Sequence, residues 1–311
     1  MLLIPFTFLP PLAARYVWLF CNLLFTAGIV FLLRKTFFKD TDGFLFAFLM
    51  LFMISGTPYR NQLGVGQHTL FAFFFFLLAV YFLSLEGKKG FFAVTASIFV
   101  CFFKYTLTVP LVIYFVYKKR IKEIAVAGAL HVLLTVLAAF WLKDSIINMI
   151  IKPLKVSSAL VSEGGIDFGA LLKGSPFSYV LCLAVLVLLF VYAVKICNRE
   201  GFDDLFISLL TVWSLIVTYH RTYDFFVLII VAVLVTDVYT QGLCEKKDPG
   251  DRGGIRFYRI FTWYYALLMI YINYVLRIFS ENAPSKAGAA ILYYIFAITL
   301  GVIAVRKLKN G

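Results

Sequence analysis

The sequence predicts an all-α fold, a polytopic transmembrane helical bundle. Three observations lead there. Of its 311 residues, 62% are hydrophobic and the mean hydropathy is +0.93, whereas a soluble domain is about half apolar and must keep a polar skin. Apolar runs near the length of a membrane span recur along the chain. Lys and Arg gather in short clusters between those runs, as membrane anchors do.

The apolar runs fall at 14–33, 43–55, 68–85, 90–103, 106–117, 123–142, 176–195, 204–218, 224–241, 257–279 and 286–305, about ten to eleven membrane segments in a single integral membrane domain, 1–311. The runs at 90–103 and 106–117 are short and meet at Lys104, so they read as two half-depth helices or one broken helix. The short run 43–55 extends toward Tyr59. Within the loop 143–175, Ile146, Ile147, Met149, Ile150, Ile151 and Leu154 stand beside Lys143, Lys152 and Lys155. That pattern is open to an interfacial helix or a loop packed on the bundle. The Gly-rich stretch 242–256 reads as a solvated linker.

Charge sets the direction. One set of loops holds 19 of the 29 Lys and Arg, including Arg34, Lys35, Lys88, Lys89, Lys118, Lys119 and Arg120. Positive charge favours the cytoplasm, so this side is expected inside, with a cytoplasmic C-terminus in a multi-pass plasma-membrane protein. The alternation requires 90–117 to go out and come back as a hairpin. The loop 143–175 is then non-cytoplasmic and 242–256 cytoplasmic.

The net charge of +13 does not indicate nucleic acid, because no basic cluster forms a face interleaved with exposed aromatics. The five cysteines, Cys21, Cys101, Cys182, Cys197 and Cys244, show no CxxC spacing, and neither a disulfide framework nor a metal site is expected. No cofactor motif is evident. Residues 1–12 lack the basic start of a cleavable signal peptide.

Ionisable groups at membrane depth are costly and mark function by default. Four clusters qualify, all on the expected outer face. Gly64-Val65-Gly66-Gln67-His68 allows close backbone approach, followed by a helix start near Gln67 suited to a phosphate. Lys104, between Phe103 and Tyr105 with Pro110 beyond, should break its helix and line a wet cavity or bind an anion. Tyr219-His220-Arg221-Thr222-Tyr223-Asp224 offers a titratable ring, an anion clamp in Arg221 and a carboxylate to orient it. Arg60, in Arg60-Asn61-Gln62, is the fourth cluster and could hold a phosphate. Gly66, Gln67 and His68, with Arg60, Lys104, His220 and Arg221, are thus the candidate substrate-binding residues, and Asp224 is the visible candidate for a catalytic carboxylate.

The block from Gln62 to Arg120 resembles glycosyltransferase family 87 (DUF2029). It carries Gly66-Gln67, an apolar helix, the basic turn Glu86-Gly87-Lys88-Lys89, Gly90, then Lys104 and Pro110 in order. The 219–224 stretch occupies the place of the family's outer His-containing segment. Phe8-Leu9-Pro10-Pro11, Trp18 and Asn22 resemble the approach to a family membrane segment. The resemblance implies a GT-C-like bundle similar to polyprenol-phosphate-mannose-dependent α-mannosyltransferases. It implies hexosyl, specifically mannosyl, transfer from a polyprenyl-phosphate sugar to a lipid or glycan acceptor on the non-cytoplasmic face, in contact with membrane lipid. Such enzymes usually carry an acidic residue in the first outer loop. Residues 1–33 contain no Asp or Glu, so the expectation is either that an N-terminal helix and first loop are lacking or that the protein is a degenerate or split member of the family. Two other readings stay open: a lipid or solute transporter or flippase, and a truncated non-catalytic membrane partner.

Overall fold

The computed structural model describes residues 4–39, 41–160, 203–217, 220–232 and 234, with single positions between 175 and 191. Among the described residues all regular structure is helical. By length and composition alone three helical stretches, Pro11–Thr36, Gly87–Leu111 and Ile121–Leu142, suffice to cross a membrane, although the second contains a turn at Lys104. A fourth candidate is the pair Gly43–Ser55 and Thr57–Val65, bent by 53°. The expected linker 242–256 and the segments at 257–279 and 286–305 lie outside the described residues, as does most of 176–195.

Helix α1 (Pro11–Thr36) opens with proline in its first turn and closes with Arg34 and Lys35 in its last, each suited to that helix end. The Arg34 guanidinium donates to the carbonyls of Phe38 (2.7 Å) and Thr41 (2.5 Å), which shapes the turn into α2 (Gly43–Ser55). Asp42 caps α2, its Oδ1 accepting the Leu45 N–H at 2.9 Å. The chain bends at Gly56 into α3 (Thr57–Val65), which ends on Gly66 in the left-handed region, φ +68°. A Cβ there would also press on the Trp18 indole, so glycine is required twice over.

Helix α4 (Thr69–Phe82) is the axis of the bundle. Leu70, Ala72, Phe73, Phe76, Leu77 and Ala79 are fully buried. It runs parallel to α1: Trp18 meets His68 and Phe71, and Phe25 meets Phe71, Phe74 and Phe75. Helix α5 (Gly87–Cys101) turns back along α4. A Cβ at Gly90 would collide with the Leu85 carbonyl, so glycine allows this tight return.

The stretch 87–117 does not run as one rod. After α5 come a 3₁₀ turn (Phe102–Lys104), α6 (Tyr105–Leu111) and α7 (Ile113–Tyr117). Lys104 lies beside Thr69 at the start of α4, Phe115 beside Phe76 at its middle, and the Arg120 guanidinium on the Leu83 carbonyl beyond its end. With α4 as the ruler, the chain goes out along α5 and returns along α6 and α7, turning at Lys104. This is the out-and-back hairpin that the charge alternation requires.

Helix α8 (Ile121–Leu142) packs on α5 through His131 and leaves Val132, Leu133, Leu137, Phe140 and Trp141 exposed, as a lipid-facing span would. Lys143, in the left-handed region, ends it. Helix α9 (Ile146–Leu160) follows, with Ile146, Ile147, Ile150 and Ile151 exposed, so the loop expected at 143–175 begins as a helix. Hydrogen bonds from Lys152 and Asn148, and from the Ser145 amide, hold the Asp144 carboxyl pKa down to about 2. Helix α10 (Asp203–Val217) lies along the returning arm of the hairpin. Ser214 Oγ donates to the Leu107 carbonyl at 2.9 Å, Phe206 packs on Tyr117, and Asp203 pairs with Lys118 at 2.6 Å. The chain then enters a 3₁₀ segment, Thr222–Leu228, which is buried from Asp224 onward.

The bundle is therefore polarised along α4. Arg34 and Lys35, Lys88 and Lys89, and Lys118 to Arg120 gather toward the Phe82 end. Trp18, Gly66, His68, Lys104 and the 220–224 segment gather toward the Thr69 end.

Candidate active site

Three chain segments converge at the head of α4: Thr69 itself, the turn of the hairpin, and the residues that lead into the buried 3₁₀ segment. The hairpin turn presents Lys104 because the α-helical hydrogen-bond pattern stops there. Its backbone (φ −115°, ψ 69°) is no longer helical.

Lys104 Nζ reaches Asp224 Oδ1 at 2.5 Å and the Thr69 hydroxyl at 2.7 Å. Thr69 donates its own proton to the same Asp224 oxygen at 2.5 Å. The other carboxylate oxygen, Oδ2, accepts from His220 Nδ1 at 2.8 Å and from the Arg221 backbone N–H at 3.4 Å. A carboxylate can only accept, so the His220 proton sits on Nδ1. The Tyr223 ring lies under the Lys104 ammonium, 5.2 Å to its centroid. The Lys104 side chain is 12% exposed and that of Asp224 4%. Charges this deep persist only when paired and fully hydrogen-bonded, and here both carboxylate oxygens have donors.

The network is also recessed. Trp18, which contacts His68, lies seven residues inside the start of α1. His131, level with Phe99 and Phe103, lies eleven residues before the end of α8. At the α-helical rise, Lys104 lies about 10–16 Å below the ends of those helices. A polar cluster at that depth suits a reaction centre within the membrane.

The expected residues divide into two groups. Lys104, His220 and Asp224, which come from two separate sequence clusters, form one network. Arg221 adds its backbone amide to it, and its side chain is exposed beside it. The Asp224 carboxylate was expected to orient Arg221; instead it holds Lys104 and His220, because those groups face it from the hairpin turn and the preceding loop. Helix α4 begins at Thr69, two residues later than expected, because Gly66 first caps α3. The anion at the head of α4 is the chain's own Asp224, joined through Thr69. Gly66 and Gln67 act through their backbones: the Gly66 carbonyl accepts from the Trp18 indole at 2.9 Å, and the Gln67 carbonyl accepts from Gln62. His68 is half-buried, its ring centroid 5.4 Å from that of Trp18. Arg60 stands exposed on α3, apart from the network, while its neighbour Tyr59 packs on Phe226.

Thr69 was missed. A threonine at the head of an apolar helix carries no signal of its own, and only the fold puts its hydroxyl between a lysine and an aspartate 155 residues away. His131 was missed too, although an ionisable side chain within an apolar run is a detectable signal. No group of three or more His, Cys, Asp or Glu side chains suited to a metal is found among the described residues.

The family model described as glycosyltransferase family 87 matches residues 1–218 of the 311. The chain belongs to glycosyltransferase family 87. It is accordingly a membrane glycosyltransferase, which uses a sugar donor and an acceptor. The family match includes Thr69 and Lys104, and ends just before His220 and Asp224. No curated protein and no solved structure matches the chain.

Proposed function

We propose that this family 87 chain transfers a hexosyl group, in the first instance mannosyl, from a polyprenyl-phosphate sugar to a lipid or glycan acceptor on the non-cytoplasmic face. The observation that carries the reading is the Lys104–Thr69–Asp224–His220 network at the end of the bundle opposite the basic loops. A lipid-linked donor brings its phosphate into the membrane from the side, so the protein must supply a cation at that depth. Lys104 is such a cation.

The donor phosphate replaces Asp224 on Lys104, with Arg221 as the second cation. The bond between the anomeric carbon and the phosphate oxygen breaks, and its electron pair leaves with the phosphate. A new bond forms from the anomeric carbon to the acceptor oxygen. The acceptor proton passes to Asp224, whose Oδ1 the departing Lys104 has released. His220, on the other carboxylate oxygen, keeps Asp224 turned toward the site. A lipid phosphate is already a good leaving group, so no nucleotide-binding domain is needed.

Two measurements test this. In membranes supplied with radiolabelled mannosyl polyprenyl phosphate, Asp224→Asn should lower transfer at least about 100-fold while the variant still binds polyprenyl phosphate. Transfer near the wild-type rate removes Asp224 from the chemistry. For orientation, Ser145→Cys should react with a membrane-impermeant maleimide added outside intact cells, and Lys88→Cys only after permeabilisation. The reverse pattern would put the site on the cytoplasmic face.

A further inference from the structure

We infer that His131 is the positioning residue that fixes the depth of the hairpin turn, and through it the place of Lys104. The inference rests on the reading of Lys104 as an active-site cation. Where an α-helix tightens into a 3₁₀ turn, carbonyls near the junction lose their usual donors. In water such groups would be solvated, but within a membrane the protein must satisfy them. At this junction, Thr108 Oγ lies 3.0 Å from the carbonyls of both Cys101 and Lys104, whereas the Ile98 carbonyl keeps its helical donor, the Phe102 N–H, with Cys101 Sγ 3.2 Å away. These come from the hairpin itself. The cap on the Phe99 carbonyl comes from another helix: His131 Nε2, on α8, lies 2.6 Å away. A carbonyl only accepts, so Nε2 carries the proton.

Three phenyl rings hold the imidazole in place. The centroids of Phe99 and Phe103 lie 4.8 Å from that of His131, and Phe102 lies at 5.6 Å. Phe103 immediately precedes Lys104. The ring thus ties the last turn of α5 to the middle of a long span and sets the level at which the chain reverses. Among the described residues, His131 is the α8 side chain that hydrogen-bonds to this junction. If this tie is lost, the turn can slide along α8 and carry Lys104 away from Asp224 and Thr69.

The test reads Lys104 directly. Purified full-length protein is treated with an amine-acetylating N-hydroxysuccinimide ester, and modification of each lysine is followed by peptide mass spectrometry. Lys104 should react slowly in the wild type, since it is buried and ion-paired. His131→Phe keeps the bulk and the aromatic packing but removes the donor, and should speed Lys104 modification about tenfold, the equivalent of one net hydrogen bond. His131→Gln, whose side-chain amide reaches the Nε2 position, should restore the wild-type rate. Lys118, paired with Asp203 at the other end of the bundle, should be unchanged in all three proteins. An unchanged Lys104 rate in His131→Phe overturns the inference. So does a failure of His131→Gln to restore it, or an equal rise at Lys118, which would make His131 a general structural residue. A Lys104→Met variant that still transfers sugar would remove the active-site reading and leave the positioning result standing.

Discussion

Replacing Lys104 with methionine should abolish sugar transfer, by about 1,000-fold or more, the upper end of what one electrostatic group contributes to a transition state. Methionine keeps the length and apolar stem of lysine and removes only the charge. The donor phosphate gains negative charge as the sugar departs, and at this depth water cannot solvate it. Arg221 is exposed and Arg60 stands apart from the network, so neither can replace a cation held 2.7 Å from Thr69 and beside Asp224. Binding of polyprenyl phosphate, measured by scintillation proximity on the purified protein, should weaken in the same variant. Lys104→Arg should rescue it only in part, because a planar guanidinium cannot keep both the Thr69 and the Asp224 contacts of a compact ammonium. Full activity in Lys104→Met would leave the buried pair without a catalytic role.

The second large effect concerns stability. Removing one member of a buried ion pair strands the other, at a cost of about 3–5 kcal/mol, whereas replacing both with apolar groups is often neutral. Asp224→Leu should therefore lower the thermal unfolding midpoint in detergent sharply, because Lys104 then lies 12% exposed without its carboxylate. The double variant Lys104→Met/Asp224→Leu should recover most of the lost stability and none of the transfer. That outcome separates the two roles of the pair: the charges are not needed for the fold, and they are needed for the chemistry. If the double variant unfolds as readily as the single one, the pair is a structural element and the site lies elsewhere. If its transfer returns with its stability, the charges have no part in the reaction.

Much of this protein was legible in its sequence. Hydropathy alone implied helices in lipid, because backbone polar groups can be satisfied there only within a helix or a closed barrel. Lys104 between two short apolar runs, with Pro110 just beyond it, foretold the break, and the charge alternation foretold that the chain returns along itself. The order of Gly66-Gln67, the basic turn and Lys104 pointed to the family, since order along a chain survives where single residues carry little information. Local signals of this kind act over one or two helical turns, or through the average properties of a span.

The site depended on information of another kind. Lys104 and Asp224 stood in separate clusters, 120 residues apart, and nothing in either cluster names the other as a partner. Asp224 seemed matched to its neighbour Arg221 because adjacency is all that a linear reading offers. Packing decided otherwise. Burying Phe225, Phe226 and the residues that follow drew the Asp224 carboxylate inward, while Arg221 stayed exposed. A buried charge must find an opposite charge at hand, and the hairpin turn put Lys104 there. Thr69 and His131 meet their partners for the same reason. Helix, membrane and polarity are consequences of composition and period, and were decided along the chain. Which charges meet is a consequence of how helices far apart in sequence share one interior, and only the folded bundle decides that.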